Sequence, residues 1–225
     1  MSDPGLLRLI ADLGFLLPGL LNTLKVTGMA LLFGVPIGLL LALGRLGGIR
    51  PLRVVCAFVI EFFRTTPPLV QLFWFFFALP ILINVEMTPF IASVVTFSIQ
   101  SSAFFAEVFR GGINSIDKGQ WEASKAIGMT RGQTLRRIIL PQAVARMIPA
   151  FAERSIELLK TTTLVSTVSF ADLMFRANDL AQRTFRPLEV YSAVALIYFT
   201  VILLFSQGAG AVERRLARGS DTMAR

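Results

Sequence analysis

Histidine is absent from this sequence, and cysteine occurs once, at Cys56. The first absence removes the commonest general base and the commonest metal ligand. The second rules out a disulfide within the chain and any multi-cysteine metal site, and Cys56 lies in an apolar stretch where it reads as packing. No GxSxG or HExxH pattern occurs, so nothing here offers an activated nucleophile or a metal-bound water to an integral membrane hydrolase; neither catalytic nor metal-ligating residues are expected. The phosphate-cradling GxxxxGKS/T loop is missing as well, so any nucleotide hydrolysis belongs to another chain. The N-terminus has no basic region ahead of a cleavable apolar core, and no signal peptide is expected. Internal repeats, low-complexity tracts and soluble linkers are also lacking, which makes residues 1–225 one domain.

What the chain has in quantity is apolar sequence. Fifty-four per cent of its residues are hydrophobic, and the mean hydropathy is +0.68. The apolar residues come in runs at about Gly19 to Leu43, Val54 to Leu79, Thr88 to Phe109, Met147 to Val168 and Leu188 to Gly210. Each is near the twenty or so residues that a helix needs to cross a bilayer, so the expected fold is an all-α integral membrane protein of five transmembrane helices. The fourth run is interrupted by Glu153, Arg154, Glu157 and Lys160. A helix carrying these must turn them toward protein or water.

The net charge of +8 would raise the question of nucleic acid in a soluble protein, but here the basic residues sit between spans and read as topology signals. Arg45, Arg50 and Arg53 follow the first run; Arg110, Lys118, Lys125, Arg131, Arg136, Arg137 and Arg146 follow the third; Arg214, Arg215, Arg218 and Arg225 follow the fifth. By the positive-inside rule these segments are cytoplasmic, which puts the C-terminus inside and the N-terminus outside. The segment Pro80 to Met87 carries Glu86 and no basic residue, and is expected to face outward.

Proline and glycine punctuate the spans. Gly34, Pro36 and Gly38 allow a bend or a close helix contact, and Pro67 with Pro68 removes two backbone donors and should kink or break the second helix. Ionisable groups inside a span cost roughly 2.5 to 3.5 kcal/mol each at the bilayer centre, so each needs a reason. Glu61 with Arg64, Glu107 with Arg110, and Arg154 with Glu157 have the spacing of one helical face, and the first pair reads as structural, together with Pro67. Gln71 and Gln100 are candidates for hydrogen-bond glue between helices or for a polar route.

Between the third and fourth spans, at about 111–146, lies a polar, basic loop. Trp121, Ala123, Ala126 and Ile127 form an apolar stripe at helical spacing, Ala123 and Ser124 are small enough for another surface to approach, and Gly128 is placed to end a short helix. An amphipathic helix on the inner leaflet would use the same residues.

The loop reads Glu122-Ala123-Ser124, then Gly128, Ile138 and Leu140-Pro141, and so resembles the EAA-x3-G-x9-I-x-L-P loop of the membrane subunits of ATP-binding-cassette (ABC) importers. Other segments resemble the polar amino acid (histidine, glutamine and arginine) permeases of that class. Phe62 to Gln71, FFRTTPPLVQ, is similar to the family's FFRGTPLLVQ; Ser102 to Ile113 to its GAYxAEIxRGGI; Lys118-Gly119-Gln120 and Leu140-Pro141-Gln142-Ala143 to its KGQ and LPQA. Lys160 to Leu164, KTTTL, departs from the usual KDTSL by Thr161 in place of aspartate, which leaves the carried amino acid open.

The resemblance implies a type I importer permease. It implies that Glu122, Ala123, Ser124, Gly128, Ile138, Leu140 and Pro141 couple to an ATPase by a short helix, a glycine turn and a second helix. The implied partners are two copies of an ABC ATPase that holds ATP and Mg, a second permease subunit identical or related to this one, and a periplasmic or extracellular binding protein. This chain would bind no cofactor itself and would lie in a bacterial inner membrane. A zwitterionic amino acid needs acceptors for its ammonium and donors for its carboxylate, and Gln100, Ser101 and Glu107 on the third span with Glu157, Thr161 and Thr162 on the fourth can supply them. The alternative is an ion-coupled secondary transporter acting without an ATPase, with Glu153 and Glu157 serving a proton; such carriers usually show an inverted repeat, which is not visible here.

Overall fold

The computed structural model describes the backbone of residues 4–221 and the side chains of residues 12–211. The described residues are helical throughout: α1 (Pro4–Leu46), α2 (Arg50–Thr65), α3 (Pro68–Phe73), a π-helical turn (Trp74–Ala78), α4 (Leu79–Ile83), α5 (Pro89–Asn114), α6 (Lys118–Ala126), α7 (Arg131–Thr134), a second π-helical turn (Leu135–Ile139), α8 (Leu140–Thr161), a 3-10 helix (Thr162–Val168), α9 (Leu173–Thr184) and α10 (Pro187–Asp221). The side chains of Arg214, Arg215, Arg218 and Arg225, on which the orientation partly rests, lie outside the described residues.

Helix α5 is the centre, with α1, α2 and α8 packed around it. Its start is set by Thr88, whose Oγ1 accepts from the Ile91 amide at 3.3 Å, and by Pro89 in the first turn. On α1, Ala30, Gly34, Gly38 and Ala42 recur every fourth residue and are buried against α5. A Cβ on Gly38 would stand 2.7 Å from the Ser102 carbonyl oxygen and 2.9 Å from the Phe105 Cβ. The absence of side chains here is what lets the backbones meet, as membrane helices require where burial gives no advantage over lipid. Close contact is therefore the use of Gly34 and Gly38. Above the seam, Val26 and Ala30 join Leu72, Phe97, Leu158, Val165 and Val168 in a common core.

The second apolar run breaks where the prolines stand. Thr66 and Pro67 are extended, and Arg50–Thr65 and Pro68–Ile83 meet at 105°. The carbonyls released by the break are taken by Gln71, whose Nε2 donates to Phe63 O and to Thr66 O, both at 2.9 Å. Buried Gln71 is thus the seal on a broken helix, which hydrocarbon would otherwise penalise.

Among the described residues three helices are long and apolar enough to cross a membrane, Asp12–Leu46, Pro89–Asn114 and Pro187–Ala211, and the bent pair makes up to four. The shortfall against five spans is α8, which is 22 residues long but carries Arg146, Glu153, Arg154, Glu157 and Lys160. It packs against α5 and α10, while Arg146, Glu153, Glu157 and Lys160 stay exposed. The run Met147 to Val168 is also not one helix. After Thr161 the chain tightens to 3-10 geometry, where the hydroxyls of Thr162, Thr163, Ser166 and Thr167 each donate to the carbonyl three residues back. The loop expected at about 111–146 is shorter, because α5 runs to Asn114 and α8 starts at Leu140.

At the far end of α1, in the turn ahead of α9 and outside the spanning helices, Asp172 caps α9 by accepting from the Phe175 amide at 2.8 Å. Its residue is fully buried and Oδ2 has no partner. Burial pushes its carboxyl up to about 6, against the opposing pull of the Phe175 and Met174 amides.

Two outcomes follow. Gly38→Ala forces backbone apart and should cost about 1 to 3 kcal/mol of stability, read as thermal unfolding in detergent, whereas Gly28→Ala, with nothing within 4 Å, should be silent. Because the folded carboxyl of Asp172 holds its proton more tightly than an unfolded one, stability should fall as pH rises from about 4 to about 6 and level off above that. Asp172→Asn keeps the cap and should flatten that slope in melting curves recorded across the same range.

Candidate functional site

The segment joining α5 to α8 is an elbow folded back on the bundle. Only Ser115, Ile116 and Asp117 separate α5 from α6, and Asp117 Oδ1 caps α6 by accepting from the Gly119 amide at 2.6 Å. Ile116 is buried with Ile139, Ala143 and Met147, and Trp121, Leu135 and Ile138 pack against them. The Arg146 guanidinium donates to the Ser115 carbonyl, tying the start of α8 to the end of α5. A Thr130–Gln133 capping box starts α7.

Gly128 stands between the two arms at φ +77°, with the Met129 amide bonded to Ser124 O at 3.0 Å and its own amide to Lys125 O at 3.1 Å. These are the bonds of a helix ended by a left-handed residue, and open space around the missing Cβ shows that backbone conformation, not crowding, calls for glycine.

The expected coupling residues separate into two groups. Glu122, Ala123, Gly128, Leu140 and Pro141 are exposed, as are Ala126 and Ile127. Ser124, expected where another surface approaches, is instead buried: its hydroxyl accepts from Thr134 at 3.0 Å and donates to Trp121 O at 2.9 Å, pinning the arms together. Ile138 is turned into the apolar cluster. The stripe read from spacing divides the same way, Trp121 facing the bundle and Ala123, Ala126 and Ile127 facing out.

Between α5 and α8 runs a polar cleft. Gln100, Ser101, Glu157 and Thr161 line one cavity there, together with Phe104 and Arg154. Glu107 and Thr162 do not line this cavity. The Thr162 hydroxyl is fully buried, donating to Leu159 O at 2.8 Å and lying 3.2 Å from the Thr27 hydroxyl of α1. Both carboxylate oxygens of Glu107 are occupied: Oε1 by Arg45 of α1, Oε2 by Arg110 Nε at 3.0 Å and Nη2 at 2.6 Å. It therefore ties the end of α1 to α5 and is not free to accept a substrate ammonium.

All three pairs read from spacing form, Arg64–Glu61 the loosest at 3.8 Å with the carboxylate largely exposed. Arg64 also lies over the Phe104 ring, 5.7 Å from its centroid. The Arg45 contact and the role of Phe104 were missed from sequence: Arg45 counted only as a topology charge, and one phenylalanine among twenty carries no mark.

If the left-handed turn matters as described, Gly128→Ala should strain it by about 1 to 2 kcal/mol and speed exchange of the Met129 amide about tenfold, with Gly128→Asn sparing it; hydrogen exchange read by mass spectrometry is the check.

Comparison with known proteins places this geometry. The family described as binding-protein-dependent transport system inner membrane component matches residues 34–218. A putative glutamine transport system permease protein of Rickettsia bellii is 37% identical over 90% of this chain and 93% of its own. An L-cystine transport system permease protein of Bacillus subtilis is 39% identical over 89% of this chain and 86% of its own. Among solved structures, an amino acid ABC transporter crystallised with histidines superposes with a TM-score of 0.88 at 36% identity, covering 96% of this chain and all of that one (100%). An inward-facing methionine ABC transporter superposes at 0.70 with 21% identity over 96% of this chain and 99% of that one, a likeness of fold.

Proposed function

The chain belongs to the family of inner membrane components of binding-protein-dependent transport systems, and from that premise we propose that it is the permease subunit of an ATP-driven importer that carries a polar amino acid or a derivative of one. A separate ABC ATPase, in two copies with ATP and Mg, drives the cycle; an external binding protein delivers the solute; a second permease subunit completes the path in a bacterial inner membrane. The permease itself breaks no bond. Its N-terminus lies outside and the elbow lies in the cytoplasm, where the ATPase can reach it.

The observation that carries this reading is the elbow. Glu122, Ala123 and Ile127 are presented on an exposed face of a short helix whose other side is anchored to the ends of both α5 and α8. A body gripping that face pulls on the two helices that line the polar cleft. The cleft suits a zwitterion, with Arg154 as donor for a carboxylate, Glu157 as acceptor for an ammonium, and Gln100, Ser101 and Thr161 for the remaining polar contacts. The need for a second permease subunit is argued from α8. Glu153 and Lys160 are exposed and make no ion pair among the described residues, and hydrocarbon does not tolerate them unaccompanied.

Glu122 makes no ion pair with any described residue, so replacing it spares the fold. In proteoliposomes holding the permease, its ATPase and its binding protein, Glu122→Lys should lower amino-acid uptake and substrate-stimulated ATP hydrolysis by more than about tenfold, an interface loss of about 2 kcal/mol, while the isolated permease melts as before. Uptake that persists without any ATPase and follows an ion gradient would overturn the proposal.

A further inference from the structure

The cleft between α5 and α8 is not one cavity. Below the space that holds Gln100, Ser101 and Thr161 lies a second and wider one, lined among others by Arg64, Glu107, Gly111, Arg146 and Glu153. The two follow each other along the same helices: Gln100 and Ser101, then Gly111 and Ser115 on α5; Thr161 and Glu157, then Ala150 and Arg146 on α8. Ser115 and Arg146 stand at the elbow, so the wider cavity opens at that end of the bundle. The residues common to both linings are Phe104 and Arg154.

Their contact has a particular chemistry. The Arg154 guanidinium lies over the Phe104 ring, 4.8 Å from its centroid, and its Nη1 donates to Glu157 in the upper cavity. Arg64 reaches the same ring from α2 at 5.7 Å. The neighbouring Phe105 is buried and stacked on Phe151 at 5.0 Å, so the α5–α8 pairing at this level is fixed. Phe104 is only half-buried and meets cations at its face, where a core ring would meet close-packed carbon. A cation over a ring is a contact that yields to a better anion.

We infer that Phe104 and Arg154 form a septum across the route, closing the upper cavity from the lower one, and that it opens when the guanidinium leaves the ring. This rests on the importer reading and adds to it the position of the barrier and the trigger. A solute carboxylate entering the upper cavity competes with Glu157 for Arg154 and draws it off Phe104. The barrier is then weakest when the upper cavity is filled, which is the order an importer needs.

The test uses the assembled transporter in proteoliposomes on a Cys56→Ser background, with Thr161→Cys as a reporter in the upper cavity and a membrane-impermeant thiol reagent added on the side where Glu122 is exposed. With Phe104 in place labelling should be slow. Phe104→Ala should speed it by roughly tenfold or more, and Phe104→Leu, which keeps apolar bulk but loses the ring face, should speed it less. Phe104→Ala should also let preloaded radiolabelled glutamine or arginine out without ATP, where the unsubstituted complex retains it. Labelling and retention unchanged by both substitutions would overturn the septum. Faster labelling in a complex that shows no ATP-driven uptake even when unsubstituted would leave the septum standing and overturn the importer reading.

Discussion

The close approach of α1 and α5 along Ala30, Gly34, Gly38 and Ala42 is the contact on which the rest of the structure hangs. In a bilayer apolar side chains gain nothing by leaving lipid for protein, so helices associate through short-range packing and interhelical hydrogen bonds. The seam supplies both. Glycine at Gly38 brings backbone against the Ser102 carbonyl, and the Ser101 hydroxyl reaches 3.4 Å toward Ala30 O. With one side of α5 held this tightly, its other side is free to be polar. It is that side, with Gln100, that faces Arg154 and Glu157 of α8 across the cleft.

Charge is distributed according to the same constraint. Each ionised group at depth costs roughly 2.5 to 3.5 kcal/mol unless it is paired or wet. Glu107 meets that cost with two arginines from two helices, and by doing so closes the end of the α1–α5 seam that Ala42 and Ala106 begin. Arg154 meets it with one carboxylate and one ring, a looser arrangement. The difference separates a group built to stay from one able to move. Glu107 has no free oxygen to offer a solute, whereas the ring face beneath Arg154 holds it less firmly than a carboxylate would.

Local chemistry made much of this legible before any coordinates. Pro67 and Pro68 have no amide to donate, so a break there follows from the residues alone; so does glycine at the elbow, since Gly128 occupies a left-handed turn. What spacing could not supply was rotation about a helix axis. Ser124 is one residue from exposed Ala123, yet it faces inward because Thr134, ten residues on, is there to meet it. Thr162 is one residue from Thr161 and faces α1, not the cleft, since the chain tightens at that point. Glu107, nominated by type alone, is engaged by a partner that spacing could not supply, since Arg45 lies 62 residues away in the chain. Length and hydropathy alone leave α8 out of the spans, because a helix is scored by what it carries and α8 carries Glu153, Arg154, Glu157 and Lys160.

The elbow and the cleft are mechanically one object. Helix α5 passes from the cleft into α6 through three residues, Ser115, Ile116 and Asp117, and α8 emerges from the π-helical turn that packs on Ile116. An apolar cluster that joins both helix ends to the elbow moves as a body, since packed interiors shift between discrete arrangements and do not stretch. Displacing the exposed face of α6 therefore displaces the ends of both cleft walls. The walls are held to each other farther in by Phe105 on Phe151 and by Phe109 on the same ring. A load applied beyond those packed rings turns about them, and Phe104, one residue from Phe105, is where a small rotation of α8 against α5 is first felt.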